Sequence, residues 1–181
     1  MCEVLKIETQ NQQIITSQGN IPYDKLVIAT GCKTNFFNNS QIEKHAFTLK
    51  STTEAIQVRN HLLGLFESLS SEDHTKVDPR NTIVIVGGGP TGVELAGAFS
   101  EIIKRVLPQE YPSLDPLKMK VMLIEGSKHT LNNMSELAKT ASQHYLYSMG
   151  VEVITETFVK NYDGQTITLS NGELIQSSTL V

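Results

Sequence analysis

"TIVIVGGGPTGVELAGAFSE", Thr82 to Glu101, is the stretch on which the reading of this chain turns. Five residues rich in Ile and Val run into three consecutive glycines, and a run with helical spacing follows. Gly87, Gly89 and Gly92 satisfy G-x-G-x-x-G, and the flanking runs supply the strand–turn–helix context that makes the pattern meaningful. The chemistry follows from absent side chains. Gly87 permits a tight strand-to-helix turn, Gly89 lets a pyrophosphate approach the backbone, and Gly92 lets the helix pack close to the sheet. The start of the helix then offers unpaired N–H groups and a partial positive charge to phosphates. Gly88, Pro90 and Thr91 complete the candidate cofactor-binding turn. No G-K-[ST] ending is present, which disfavours a nucleoside triphosphate.

A dinucleotide site also needs an acid at the end of the next strand. Glu125 ends "VMLIE", 33 positions past Gly92 (125 minus 92), where about 20 is usual. A Pro-rich insertion, "LPQEYPSLDPLK" at 107–118, accounts for the excess. A carboxylate in that place accepts hydrogen bonds from the ribose hydroxyls and repels a 2′-phosphate, favouring NAD(H) over NADP(H). Lys128, three residues on, tempers that exclusion. Glu94 has two readings. It is either a first-turn residue favoured by the helix dipole, or a group beside the nicotinamide that orients the carboxamide or passes protons.

Working outward, "TIVIV", a helix from Thr91 to about Val106, "KVMLIE", a helix over "SELAKTASQHYLYSM" and "VEVITE" alternate strand and helix. That order predicts right-handed βαβ units around a parallel sheet. Asn133 with Glu136 suggests a capping box for the second helix, and Gly150 its stop. Upstream, "EVLKIET", "QQIITS" and "KLVIA" read as strands. Ser51 with Glu54 opens an amphipathic helix whose stripe is Ala55, Val58, Leu62, Leu65, Phe66 and Leu69. The charged, Pro-containing segment 70–81 is the expected boundary between domains. The end of the chain repeats its beginning: with a shift of 153, Gly19 falls on Gly172, Ile14 on Ile167, Ile21 on Leu174 and Val27 on Leu180. Either two hairpins resemble one another by coincidence, or two related α/β units stand in tandem, with the first present only as its C-terminal end. The chain then reads as an excised piece.

Composition excludes several classes. The 181 residues are 39% apolar and 6% aromatic, with no Trp and a net charge of −4. Such a balance supports a packed core and exerts no pull on nucleic acid or anionic lipid. No apolar run approaches the ~20 residues of a membrane helix, and no signal leader is visible, so the expected location is cytoplasmic. Cys2 and Cys32 have neither C-x-x-C nor metal-ligand spacing. His45, His61, His74, His129 and His144 show no metal or triad spacing either, so no metal site is expected. The sequons at Asn38 and Asn133 read as chance.

Together these residues resemble the FAD-dependent pyridine-nucleotide oxidoreductases with two dinucleotide domains, and within them the type II NADH dehydrogenases (NADH:quinone oxidoreductases). "IVIVGGGPTGVELAGAFSE" is similar to that family's NADH-binding motif, including Glu94. "YDKLVIATG" resembles the segment where its FAD domain gives way to its NADH domain, and "FTLKSTTEAIQVRNHLL" its linking helix. The resemblance implies a Rossmann-like three-layer α/β domain with a parallel sheet and an added antiparallel β-meander. It divides the chain into 1–31 (the last strands of a truncated FAD-binding domain), 32–80 (a linker with the amphipathic helix) and 81–181 (an NADH-binding domain short of its last strand). It implies NADH at Gly87, Gly88, Gly89, Thr91, Gly92 and Glu94, with Glu125 on the ribose, and FAD near Ala29, Thr30 and Gly31. Hydride would pass from NADH to FAD and electrons onward to a quinone, with the whole protein peripheral on the cytoplasmic face of the inner membrane. Glu94 would act near the nicotinamide and in quinone-linked proton transfer. Most of the flavin site and the quinone- and membrane-docking region lie outside this sequence, so NADH binding with negligible turnover is expected of the chain alone. A ferredoxin, rubredoxin or sulfide:quinone reductase piece, or a non-catalytic dinucleotide-binding module, stays open. The disulfide-reductase branch is disfavoured, since it carries a redox cysteine pair. Open strand edges at the two incomplete units invite a homo-oligomer.

Overall fold

The first thirty residues form strands, but not all of those expected. In the computed structural model, which describes residues 2–36, 38–71 and 78–181, β1 (Val4–Glu8), β2 (Gln13–Thr16) and β3 (Gly19–Pro22) make an antiparallel meander. The turn between β2 and β3 uses Gly19 at φ +127°, a conformation that costs glycine little. "KLVIA", expected as a strand, is not one: residues 25–29 carry no regular structure and Val27 is 86% exposed. A strand requires a neighbour for its N–H and C=O groups, and no strand among the described residues adjoins it. This meander belongs to a compact unit spanning Met1–Thr34; the rest, Asn35–Val181, forms a second unit.

The second unit opens with α1 (Ser40–His45) and α2 (Thr52–Ser71). The expected capping box at α2 is present: Glu54 accepts the Ser51 N–H at 2.6 Å, and the Ser51 hydroxyl accepts the Glu54 N–H at 3.2 Å. Hydrogen bonds from the Thr48 hydroxyl, the Lys50 N–H and Ser51 pull the Glu54 carboxyl down to about 2. Most of the charged segment expected as a boundary, 72–77 with His74, lies outside the described residues.

Next come β4 (Thr82–Val86), α3 (Pro90–Glu101), α4 (Leu107–Glu110), β5 (Lys120–Ile124), α5 (Glu136–Ser148), β6 (Glu152–Ile154), β7 (Val159–Tyr162), β8 (Thr166–Leu169), β9 (Leu174–Gln176) and β10 (Thr179–Leu180). The helix starting at Pro90 runs past Val106 through a π-helical stretch, Ile102–Val106, into α4. Pro108 has no N–H to return to the turn before it, and the widened turn carries the helix through. At α5 the expected box does not form: Ser135 is the N-cap, accepting the Ala138 N–H, and Glu136 pairs with Lys139 at 2.7 Å. Asn133 is passed over because the chain is still turning there, with the Met134 N–H on the Leu131 carbonyl.

Gly150 does end α5, at φ +72°, with its N–H on the Tyr147 carbonyl and the Val151 N–H on that of Leu146. This pair of bonds is the Schellman pattern. Gly150→Ala is expected to cost about 1 kcal/mol for the left-handed backbone, read as a lower urea midpoint with an unchanged slope.

Four parallel strands, in the order β10-β4-β5-β6, form the central sheet, and β7-β8-β9 a separate antiparallel meander. Successive strand residues point to opposite faces, and both faces are covered. Ile83, Ile85, Val121 and Leu123 meet Val58, Leu62, Leu65, Phe66 and Leu69 of α2 together with Val93, Ala96 and Phe99 of α3. On the other side Val84, Met122 and Ile124 meet Tyr162, Ile167 and Leu169 of the meander. Helices, parallel sheet and meander are the three layers expected. The helix read as a linker is thus part of this core, although Ala55 of its stripe stays exposed. His61 of α2 reaches the buried Thr179 hydroxyl at 2.8 Å, and burial pushes its pKa down.

The repeat is visible in three dimensions. Each copy is a three-stranded antiparallel meander with a positive-φ glycine, Gly19 or Gly172, at its second turn. The copies then diverge. Leu180, the counterpart of Val27, is 1% exposed because β10 pairs with β4.

Candidate functional site

The turn after β4 is shaped by what its glycines lack. Gly87, at φ +105°, donates its N–H to the Ile124 carbonyl at 2.8 Å and carries the β4–β5 pairing one residue beyond the strand. A Cβ on Gly92 would stand 1.8 Å from the Gly87 carbonyl oxygen, so α3 begins directly against the strand end. Gly89 is the N-cap of α3 and Pro90 opens the helix. A Cβ on Gly89 would meet nothing within 4 Å, and Gly89, Pro90 and Thr91 are exposed. The first-turn N–H groups at Thr91 and Gly92 have no earlier helical carbonyl to bond. The turn therefore offers donors, a helix dipole and open space on one side, the requirements of a phosphate group.

Glu125 stands at the carboxyl end of β5 and reaches back to this turn. One oxygen, Oε2, accepts the Gly88 N–H at 2.6 Å, and Oε1 accepts the Ser127 N–H at 2.5 Å. Partial burial raises the carboxyl's pKa, but hydrogen bonds from the Ser127 side chain and from the Ser127 and Gly88 N–H groups outweigh it. The net effect holds Glu125 below the usual carboxylate range, charged at neutral pH. Gly88 is needed for the approach, since a Cβ there would press on the Glu125 side chain at 3.0 to 3.1 Å.

The β5–α5 loop completes the site. The Leu131 N–H donates to the Gly88 carbonyl at 2.7 Å, and the buried Thr130 and Ser142 hydroxyls share a hydrogen bond of 2.6 Å. Sequence spacing singled out neither Ser127 nor Leu131, because both act through backbone groups that every residue type carries. Gly87, Gly88, Gly89, Pro90, Thr91, Gly92 and Glu125 are brought together. Glu94 is exposed and is the fifth residue of α3, beyond its first turn. The first-turn dipole reading of Glu94 therefore loses its footing, because that effect fades within one turn. Ala29, Thr30 and Gly31 belong to the first unit, exposed and without regular structure, with Gly31 at φ +69°. Among the described residues no three His, Cys, Asp or Glu side chains group as a metal site, and Cys2 and Cys32 are both exposed.

The profile of the pyridine nucleotide-disulphide oxidoreductases matches residues 1–181. The chain belongs to that family. It is 32% identical to the type II NADH:quinone oxidoreductase NdhA of Mycobacterium tuberculosis, over 91% of this chain and 35% of that protein. An external alternative NAD(P)H-ubiquinone oxidoreductase, B4, of Arabidopsis thaliana mitochondria is 27% identical over 94% of this chain and 31% of its own length. The chain thus spans about a third of the curated relatives it matches. The structure of NDH2 from Plasmodium falciparum in complex with NADH superposes with a TM-score of 0.78, at 21% identity, over 99% of this chain and 39% of that one. A ferredoxin reductase from Rhodopseudomonas palustris superposes at 0.65 and 14% identity, over 99% of this chain and 39% of its own. These two superpositions speak to the α/β fold of the family.

Proposed function

We propose that this chain is the NADH-binding portion of an FAD-dependent NADH:quinone oxidoreductase. The observation that carries the reading is the latch between Glu125 and the Gly88 N–H. It holds a charged carboxylate rigidly beside an open, donor-rich glycine turn. The residues present fit a dinucleotide: the N–H groups opening α3 suit the pyrophosphate, and the outward lone pairs of Glu125 suit the ribose hydroxyls. Both carboxylate oxygens are already fixed by N–H groups, so little rotamer freedom is lost when a diol binds. The same fixed charge opposes a 2′-phosphate.

In the whole protein a bound nicotinamide cofactor would supply the hydride, for which a bound flavin would be the acceptor on the way to a quinone. Glu94, exposed on α3, is the group of this chain we assign to the nicotinamide end, orienting the carboxamide or carrying a proton. Residues 1–31 correspond to the end of the FAD-binding domain, and Ala29, Thr30 and Gly31 are the residues of this chain that would hold the flavin. Residues 81–181 form the NADH-binding domain. The relatives that accept quinones favour that acceptor over a ferredoxin or rubredoxin. No helix among the described residues is long and apolar enough to cross a membrane.

Calorimetric titration of the purified chain with NADH and separately with NADPH tests the reading. NADH is expected to bind more tightly by about tenfold or more, the effect of one charge facing a 2′-phosphate. Equal affinity would refute the role of Glu125 as a ribose acid. Binding of neither would refute the dinucleotide site.

A further inference from the structure

Phe158 is an aromatic residue that lies outside both hydrophobic clusters. It is 63% exposed, yet its ring lies against the backbone beside the candidate ribose acid. A Cβ built on Gly126 would stand 2.2 Å from Phe158 Cε1. Only a bare residue at 126, directly after Glu125, admits the ring there. The segment carrying the ring is fastened on both sides. Toward β5, the Thr157 N–H donates to the Glu125 carbonyl at 3.2 Å and the Glu156 N–H to the Ser127 carbonyl at 3.0 Å. Toward the meander, the Phe158 N–H donates to Ser170 Oγ at 3.0 Å and the Ser170 N–H to the Phe158 carbonyl at 2.8 Å. The backbone that carries the ring is thus fastened, and the ring is left in water, an apolar surface whose burial would be favourable.

We propose that the exposed ring of Phe158 is the platform on which the adenine base of the bound dinucleotide stacks, an inference that rests on Glu125 holding the adenosine ribose. The chemistry of the ligand sets the distance. A ribose whose C2′ hydroxyl bonds Glu125 carries its base on C1′, one bond away. The aromatic ring packed on the residue after Glu125 is within reach of that base. A purine is flat and apolar on both faces and stacks on an aromatic ring whether or not its edge is read. Phe158 therefore supplies affinity for the adenosine half, while Glu125 supplies the choice between ribose and phosphorylated ribose.

The test uses the purified chain and its Phe158→Ala and Phe158→Tyr variants. Each is titrated with NADH and with ADP-ribose, which has the adenosine half and no nicotinamide. Phe158→Ala is expected to weaken both ligands on the order of tenfold, and Phe158→Tyr to keep the parent affinity. The adenine H2 and H8 resonances of ADP-ribose should move upfield on binding to the parent and to Phe158→Tyr, under the ring current, and lose that shift in Phe158→Ala. Unchanged ADP-ribose affinity together with unchanged adenine shifts in Phe158→Ala would overturn this inference and leave the dinucleotide site intact. Failure of the parent chain to bind either ligand would overturn the dinucleotide reading itself, and this inference with it.

Discussion

Gly92→Ala is expected to abolish measurable dinucleotide binding and to lower stability by about 3 kcal/mol. The added methyl would stand 1.8 Å from the Gly87 carbonyl oxygen. The carbonyl is backbone and the Cβ position is set by the backbone, so no rotamer relieves the clash. Either α3 moves off the sheet or the end of β4 moves, and both routes disturb the turn. Gly87 would strain its bond to the Ile124 carbonyl, and Gly88 its bonds to Leu131 and Glu125. Val93, Ala96 and Phe99 would lose contact with Ile83 and Ile85 as the helix shifted. Urea denaturation followed by circular dichroism gives the stability, and titration at a temperature where the variant is folded gives the affinity.

Gly89→Ala separates the two effects. Its φ of −72° is open to any residue, and its Cβ meets no protein atom within 4 Å. Stability should stay within about 0.5 kcal/mol, while NADH binding falls because the methyl occupies the space assigned to the pyrophosphate. A Gly92→Ala protein as stable as the parent would show that the close approach of α3 to β4 is misjudged.

Glu125→Ala is expected to weaken NADH binding about 100-fold, the worth of one or two charge-assisted hydrogen bonds. The preference for NADH over NADPH should shrink with it. Two losses combine: the acceptor for the ribose, and the latch that holds Gly88 and Ser127. Glu125→Gln divides them. Its amide keeps one carbonyl oxygen but turns an NH₂ group toward a backbone N–H, so one of the two latches must break.

Linkage gives a further check on the latch, with a definite sign. The folded-state pKa of Glu125 is depressed below 4.5, so its bonds stabilise the fold at pH values above 4.5. That contribution is lost as pH falls through the folded-state value. The stability difference between the parent and Glu125→Gln should be constant from neutrality to about pH 5 and close below the unfolded value. Urea denaturation across that range measures it. A difference that grew as the pH fell would contradict the latch.

The glycine turn and the helices α2, α3 and α5 were legible because they are local. Gly87, Gly89 and Gly92 are meaningful through their own dihedral freedom and missing Cβ atoms. The buried stripe Val58, Leu62, Leu65, Phe66 and Leu69 follows from a 3.6-residue period. The capping box at Ser51 was legible too. The one proposed at Asn133 failed because the preceding turn took up those residues and left Ser135 to cap the helix. Pairings between distant residues were not legible. Glu125 and Gly88 are 37 residues apart, and Phe158 meets Gly126 from the segment between β6 and β7. No spacing rule links them.

The clearest contrast is between two copies of one pattern. "KLVIA" and "STLV" occupy equivalent places in the repeat, and both are apolar runs suited to a strand. Residue types alone determined the strand–turn–helix, the acid at the end of β5 and the alternation that calls for a parallel sheet. Whether an apolar run becomes a strand was decided by the tertiary structure: Thr179 and Leu180 lie beside Ile83 and Val84 of β4 and are buried, while Val27 stays in water. A helix closes its hydrogen bonds within its own segment, and a turn needs only its own dihedral angles. A strand's donors and acceptors face sideways and are satisfied only by a neighbour that the rest of the chain must bring.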